Sequence, residues 1–232
     1  MKKFILTCLV LSIFMPFSYC ATTEDEIVTT KSIIEAQNRI DKIGFQILNS
    51  NGIEYRTVFD YDIKRVKNAS SRNRDRQITI YRGLYERLSS DNELASILAH
   101  EIAHSTESYN GIMRGYFTPI SHYFSPRKYE YKADKKAIDY MVGANYNPVA
   151  YIVTLSKLSS QERYDWLSAH PLTSRRMMEV YEYIYKKYPE YLANNQYKNN
   201  PYYQNFLITS KLNRKKFQNK IETNSKQTVK YL

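Results

Sequence analysis

His100-Glu101-Ile102-Ala103-His104 is the part of this chain most clearly equipped for chemistry. Histidines four apart stack on one helix face and can reach a common metal ion, while Glu101 lies beside them at its edge. Two imidazoles as ligands with a neighbouring carboxylate as general base are what a hydrolytic zinc centre requires. Two ligands do not complete such a centre, because a catalytic zinc ordinarily takes three from the protein and keeps a position open. The motif therefore calls for a third ligand elsewhere.

Tyr129-Glu130-Tyr131-Lys132-Ala133-Asp134 offers one. The segment opens a second helical pattern in which Glu130, Asp134, Ala137, Ile138 and Met141 line one side and Gly143 marks a stop. Two acids four apart on an inner face repel each other unless a cation lies beside them, and a metal with its histidines provides that cation. Glu130 reads as the third ligand. Asp134 fits as acceptor for the spare ring N–H of a liganding histidine, fixing its tautomer. A solvated acidic edge among Lys128, Lys132, Lys135 and Lys136 is the competing reading, and against it those lysines fall mostly on the other side at helical spacing.

The elements that must hold these residues are legible around them. Ser90-Asp91-Asn92-Glu93 resembles a capping box, and Leu94, Ile97, Leu98 and Ile102 follow at helical spacing, so the motif sits on a helix with a buried face. Gln77-Ile78-Thr79-Ile80-Tyr81 alternates and is rich in β-branched residues, which predicts a short strand just before that helix. Helical spacing predicts further helices over 27–48, 148–158 and 173–188, a strand over 55–59, and a loop in the polar, basic stretch 64–76. The expectation is an α+β fold, mostly helical with a small β-sheet, forming one domain over residues 21–187.

The run from Ile78 through Tyr81, Gly83-Leu84, Glu93-Leu94-Ala95 and Leu98-Ala99 to His104 resembles the HtpX and CAAX-prenyl-protease group of zinc metallopeptidases, which includes the Ste-type and Oma-like enzymes. Glu130-Tyr131-Lys132-Ala133-Asp134 is similar to the group's Glu-x-x-Ala-Asp motif, Gly143 to Pro148 to its Gly-x-x-x-Pro turn, and His170-Pro171 with Arg176 to its His-Pro-x-x-x-x-Arg motif. The resemblance covers roughly residues 75 to 185. It implies a zincin-like endopeptidase domain of the gluzincin type, with one Zn2+ on His100, His104 and Glu130 and with Glu101 as the base. It also makes His170 and Arg176 candidates for a donor to the developing oxyanion, with an inhibitory metal-ligand role for His170 left open. In this architecture the strand over 77–81 is either an edge that pairs with an extended peptide substrate or simply a strand of the core sheet. His122 matches no motif.

Lys2-Lys3 precede an apolar run from Phe4 to Phe17, too short to span a bilayer comfortably and placed as a signal peptide is. Residues 1–20 are expected to be removed, leaving Ala21 first; a lipidated Cys20 or an uncleaved anchor are the alternatives. Both cysteines, Cys8 and Cys20, lie in this segment, so cysteine usage says nothing about compartment. The expected location is the periplasm or envelope of a bacterial cell. No other apolar stretch approaches spanning length, unlike the membrane-embedded relatives, and the better match is the exported branch that acts in envelope protein quality control.

The net charge of +11 is unevenly spread. From Lys186 onward ten Lys or Arg face two acids, whereas 22 basic residues face 21 acids between Ala21 and Tyr185. Residues 188–232 thus form a basic tail rich in Tyr, Asn and Lys. It suits peripheral attachment to an anionic membrane surface, or it is simply a solvated, partly disordered tail, the reading its low apolar content favours. Export argues against nucleic acid as a partner. Two functions remain: a zinc endopeptidase acting on unfolded or misfolded exported polypeptides, or an inactive zinc-site protein serving as a chaperone-like or surface-binding module. Glu101 favours the first, since a structural zinc site has no use for a base.

Overall fold

Helix α1 (Thr30–Ser50) begins where the Thr29 hydroxyl accepts the backbone N–H of Ser32 at 3.2 Å. Ala36, Ile40, Ile43 and Ile47 recur along it at helical spacing and are buried. Gly44 lies on the same helix, and a Cβ there would overlap the ring of Phe59, so its missing side chain is what lets the sheet approach. The computed structural model describes residues 29–72, 76–110, 126–158, 173–225 and 227–231. Within those bounds the fold is α+β and mostly helical, as expected.

The sheet has three described strands in the order β1-β3-β2. Strand β1 (Val58–Asp62) runs parallel to β3 (Gln77–Tyr81), and β2 (Ala69–Arg72) runs antiparallel to β3 on its other side. This settles the two readings of residues 77–81: β3 is paired on both sides, with Ile78, Thr79 and Ile80 all buried, and among the described residues the outer positions belong to β1 and β2. Two expectations are corrected here. The first strand lies three residues later than the 55–59 window, and the stretch 64–76 is not all loop. Ala-Ser-Ser-Arg carries no apolar alternation to announce β2, which owes its existence to pairing with β3.

A short helix α2 (Arg82–Tyr85) leads into α3 (Asp91–Asn110), which carries the metal motif. Its start matches the predicted capping arrangement, for Glu93 donates its backbone N–H to the Ser90 hydroxyl at 3.3 Å and its carboxylate accepts the Ser89 N–H at 3.0 Å. Helix α4 (Pro126–Gly143) packs along α3 and ends at the predicted glycine. The left-handed residue of the exit turn is Asn145, at φ +62°, while Gly143 makes room for the Asn51 side chain, which ties the end of α1 to the Tyr140 carbonyl.

Helix α5 (Val149–Leu158) is held against the start of α3 at three places. Asn147 donates its backbone N–H to Asn92 at 2.9 Å and accepts that of Val149, Thr154 and Ser96 share a buried hydroxyl contact at 3.0 Å, and Lys157 meets Glu93 at 2.7 Å. Helix α6 (Thr173–Lys187) packs on both α4 and α5.

The expectation of a solvated, partly disordered tail beyond residue 188 is not met. Helices α7 (Pro189–Ala193), α8 (Pro201–Thr209) and α9 (Lys211–Glu222) follow, and Tyr203, Phe206, Phe217 and Tyr231 are buried in the same core as the preceding helices. The Tyr231 hydroxyl donates to Glu182 on α6, and Lys220 reaches the same carboxylate at 3.3 Å. No helix among the described residues is long and apolar enough to cross a membrane.

Candidate metal centre

Leu94, Leu98 and Ile102 bury one side of α3, and their packing fixes the rotation of the helix. That rotation brings His100 and His104 opposite Glu130 on α4. The three residues form the one group among the described residues able to hold a metal ion. The Nε2 atoms of His100 and His104 are 3.0 Å apart. Glu130 places Oε1 3.2 Å from Nε2 of His104 and Oε2 3.5 Å from Nε2 of His100. Four-coordinate zinc with bonds of about 2.0–2.1 Å spaces its ligand atoms about 3.3 Å apart, so this triangle fits the ion with little adjustment. His100, Glu101 and Glu130 are each buried, with Glu101 on the same turn as His100.

Asp134 lies one turn beyond Glu130 and is fully enclosed. Its Oδ1 is 3.1 Å from Nδ1 of His100, the ring nitrogen turned away from the ligand triangle, as an acceptor for the spare ring N–H must be. Burial alone would raise its carboxyl pKa, but the Arg176 guanidinium and His100 hold it far below the usual carboxylate range. Arg176, on α6, grips Asp134 with Nε at 2.8 Å and a terminal nitrogen at 2.6 Å, and its other terminal nitrogen lies 3.1 Å from Glu130 Oε2. Burial works against an imidazolium at His100, yet hydrogen bonds to Asp134 and Glu130 outweigh it and push that group up to about 9.

The residues singled out from sequence therefore converge, with one exception. His100, Glu130, Asp134 and Arg176 form one buried network with the half-buried His104 at its edge and Glu101 beside it, while His170 lies outside the described residues, as does His122. Sequence reasoning missed Tyr151, on α5. Its hydroxyl is 2.7 Å from Nδ1 of His100 and donates to Asp134 Oδ1 at 2.5 Å. The available signal was slight: a phenol on an otherwise apolar helix needs a partner for its O–H.

Residues 35–124 and 107–184 match the family model Peptidase_M48, peptidase family M48. The matched stretches cover more than half of the chain and contain every residue of the network. No protein of curated function matches the chain.

Proposed function

Because this chain belongs to peptidase family M48, we propose that it is a zinc-dependent metalloendopeptidase that hydrolyses unfolded or misfolded polypeptides in the bacterial cell envelope. The observation that carries the reading is the convergence of His100, His104 and Glu130 to within 3.0–3.5 Å of one another, with a buried carboxylate, Glu101, on the same turn of helix. When bound, zinc supplies a Lewis acid that activates water near neutral pH and offsets charge developing on the substrate carbonyl. The chain does the rest. Glu101 takes the proton of the attacking water and returns it to the departing amine. His100, His104 and Glu130 fix the ion, and Asp134 orients His100. Arg176 is committed to Asp134 and Glu130, which supports a role in anchoring those acids over one as donor to substrate. His170 is then the candidate for that donor, or for a ligand of a resting state.

Strand β2 is an outer strand of the described sheet and packs against α3, the helix that carries His100 and His104, which supports binding of an extended, unfolded segment by main-chain pairing. Residues 1–20 act as a signal peptide in this reading, and nucleic acid is not a partner. The test is direct. Stripped of metal by a chelator, the protein is expected to lose cleavage of a denatured protein substrate and to regain it with one equivalent of Zn2+ per chain. Cleavage that survives complete metal removal, or a stripped protein that takes up no zinc, rejects the reading.

The basic C-terminal helices support peripheral contact with an anionic membrane surface. No acid occurs between Tyr191 and Ile221. Ile208 and Leu212, 73% and 67% exposed, stand beside the exposed Lys211, Lys215 and Lys216, a combination that suits headgroups with an apolar layer beneath them. At about 1 kcal/mol per cation near such a surface, reversing all three lysines to Glu weakens binding to vesicles rich in anionic lipid by on the order of a hundredfold or more. Equal sedimentation of the wild type with anionic and zwitterionic vesicles counts against this attachment.

A further inference from the structure

We infer that Tyr151 is a positioning residue for the metal centre: its hydroxyl locks the proton of His100 onto Nδ1 and so keeps Nε2 as the nitrogen presented to the metal. The inference rests on the zinc-site reading above. It starts from proton accounting around one buried oxygen. The Tyr151 hydroxyl has a single proton, and three polar atoms lie around it: Asp134 Oδ1 at 2.5 Å, His100 Nδ1 at 2.7 Å and, farther off at 3.5 Å, a terminal nitrogen of Arg176 that can only donate. Arg176 donates to both oxygens of Asp134, and a carboxylate paired in this way accepts from the phenol and does not donate to it. If the phenol turned its proton to the imidazole, two oxygen acceptors would face each other at 2.5 Å with nothing between them. The proton therefore goes to Asp134. The phenol oxygen then offers a lone pair to Nδ1, and Nδ1 must carry a hydrogen to meet it.

The surroundings leave little freedom to reverse this order. Tyr151 is 3% exposed, and its hydroxyl is enclosed between Asp134 and His100. Asp134 Oδ1 is itself 3.1 Å from the same ring nitrogen, a longer contact than the phenol makes, so Tyr151 provides the closer acceptor and Asp134 the charge behind it. The ring is thus held from behind by a phenol, a carboxylate and a guanidinium drawn from α5, α4 and α6. Only its Nε2 faces His104 and Glu130. Removing the hydroxyl takes away the closer of the two acceptors that the described residues place at Nδ1 and leaves Asp134 at 3.1 Å.

The experiment compares the full mature chain with Tyr151→Phe, which keeps the ring and removes the oxygen. Zinc affinity, measured by competition with a chromophoric chelator, is expected to fall about 10- to 100-fold in the variant, the range found when partners of liganding histidines are removed. Nitrogen-detected NMR of the zinc-loaded wild type is expected to show His100 protonated at Nδ1 with Nε2 as ligand; the chain has four histidines, so single substitutions assign the signals. Unchanged affinity and ring state in a folded variant overturns the inference, as does lowered thermal stability with unchanged zinc affinity, which is a packing effect alone. If the variant does not fold, the wild-type spectrum still decides, since a zinc-loaded protein with His100 metallated at Nδ1 overturns it. A wild type that binds no zinc rejects the proposed function and this inference together, whereas a wild type that binds zinc with the variant unaffected rejects the inference alone.

Discussion

Replacing Glu101 by Gln is expected to lower kcat on a denatured protein substrate by about 10²- to 10⁴-fold while the protein keeps its zinc, because the amide matches the carboxylate in shape but cannot take a proton. The prediction separates catalysis from metal binding. Glu101 is buried on α3 beside His100, yet it is not one of the three residues whose ligand atoms converge. Losing its charge should leave the triangle of His100, His104 and Glu130 in place, so zinc content and the thermal transition of the loaded protein are expected to stay close to wild type. The informative measurement is turnover and metal content on the same preparation. A variant that cleaves within a fewfold of wild type removes Glu101 from the mechanism, and one that cannot hold zinc shows that it supports the site and not the chemistry.

The second large effect concerns Arg176. Arg176→Met is expected to cost about 3–5 kcal/mol of unfolding free energy in the metal-stripped protein, the usual consequence of leaving buried charge without its partner. Asp134 is fully enclosed and Glu130 nearly so; Arg176 pairs with both, and His100, which lies 3.1 Å from Asp134 and 3.5 Å from Glu130, shares that load. Asp134→Asn in the same background should recover part of the loss, since the amide needs no counter-charge, and urea titrations of the four proteins give the coupling directly. The sign with pH is fixed by Asp134. Its folded-state pKa lies below the ordinary 3.8, so its contribution is complete above that value and fades as pH falls towards the depressed one. The difference between wild type and Arg176→Met should therefore shrink in strong acid. A loss below about 1 kcal/mol at neutral pH would mean that water reaches the pair and screens it.

Whether a feature is legible in the sequence depends on whether it is periodic or paired. The ligands are legible because helices impose a fixed spacing, so His100 to His104 and Glu130 to Asp134 each announce a shared face by position alone. The helix carrying the metal motif declares its start through Ser90 and Glu93. Strand β2 declares nothing, since Ala-Ser-Ser-Arg becomes a strand only through the partner that β3 offers it. The C-terminal helices escape composition for a related reason: Tyr203, Phe206 and Phe217 keep helical intervals, but the lysines and asparagines between them dilute the apolar signal below what composition detects. Tyr151 escapes because its role depends on where α5 lies against α3 and α4. No spacing within its own segment encodes that placement.

Helix α5 bears on what it would take to move this site. It clamps the start of α3 through Thr154, Lys157 and, just before its first turn, Asn147, and it also carries the phenol that backs His100. A designer who transplants α3 and α4 onto a new scaffold would copy His100, His104 and Glu130 and still leave behind the brace that keeps them in register. The smallest portable form of this centre among the described elements is α3, α4 and α5 together, with a cation supplied where Arg176 stands.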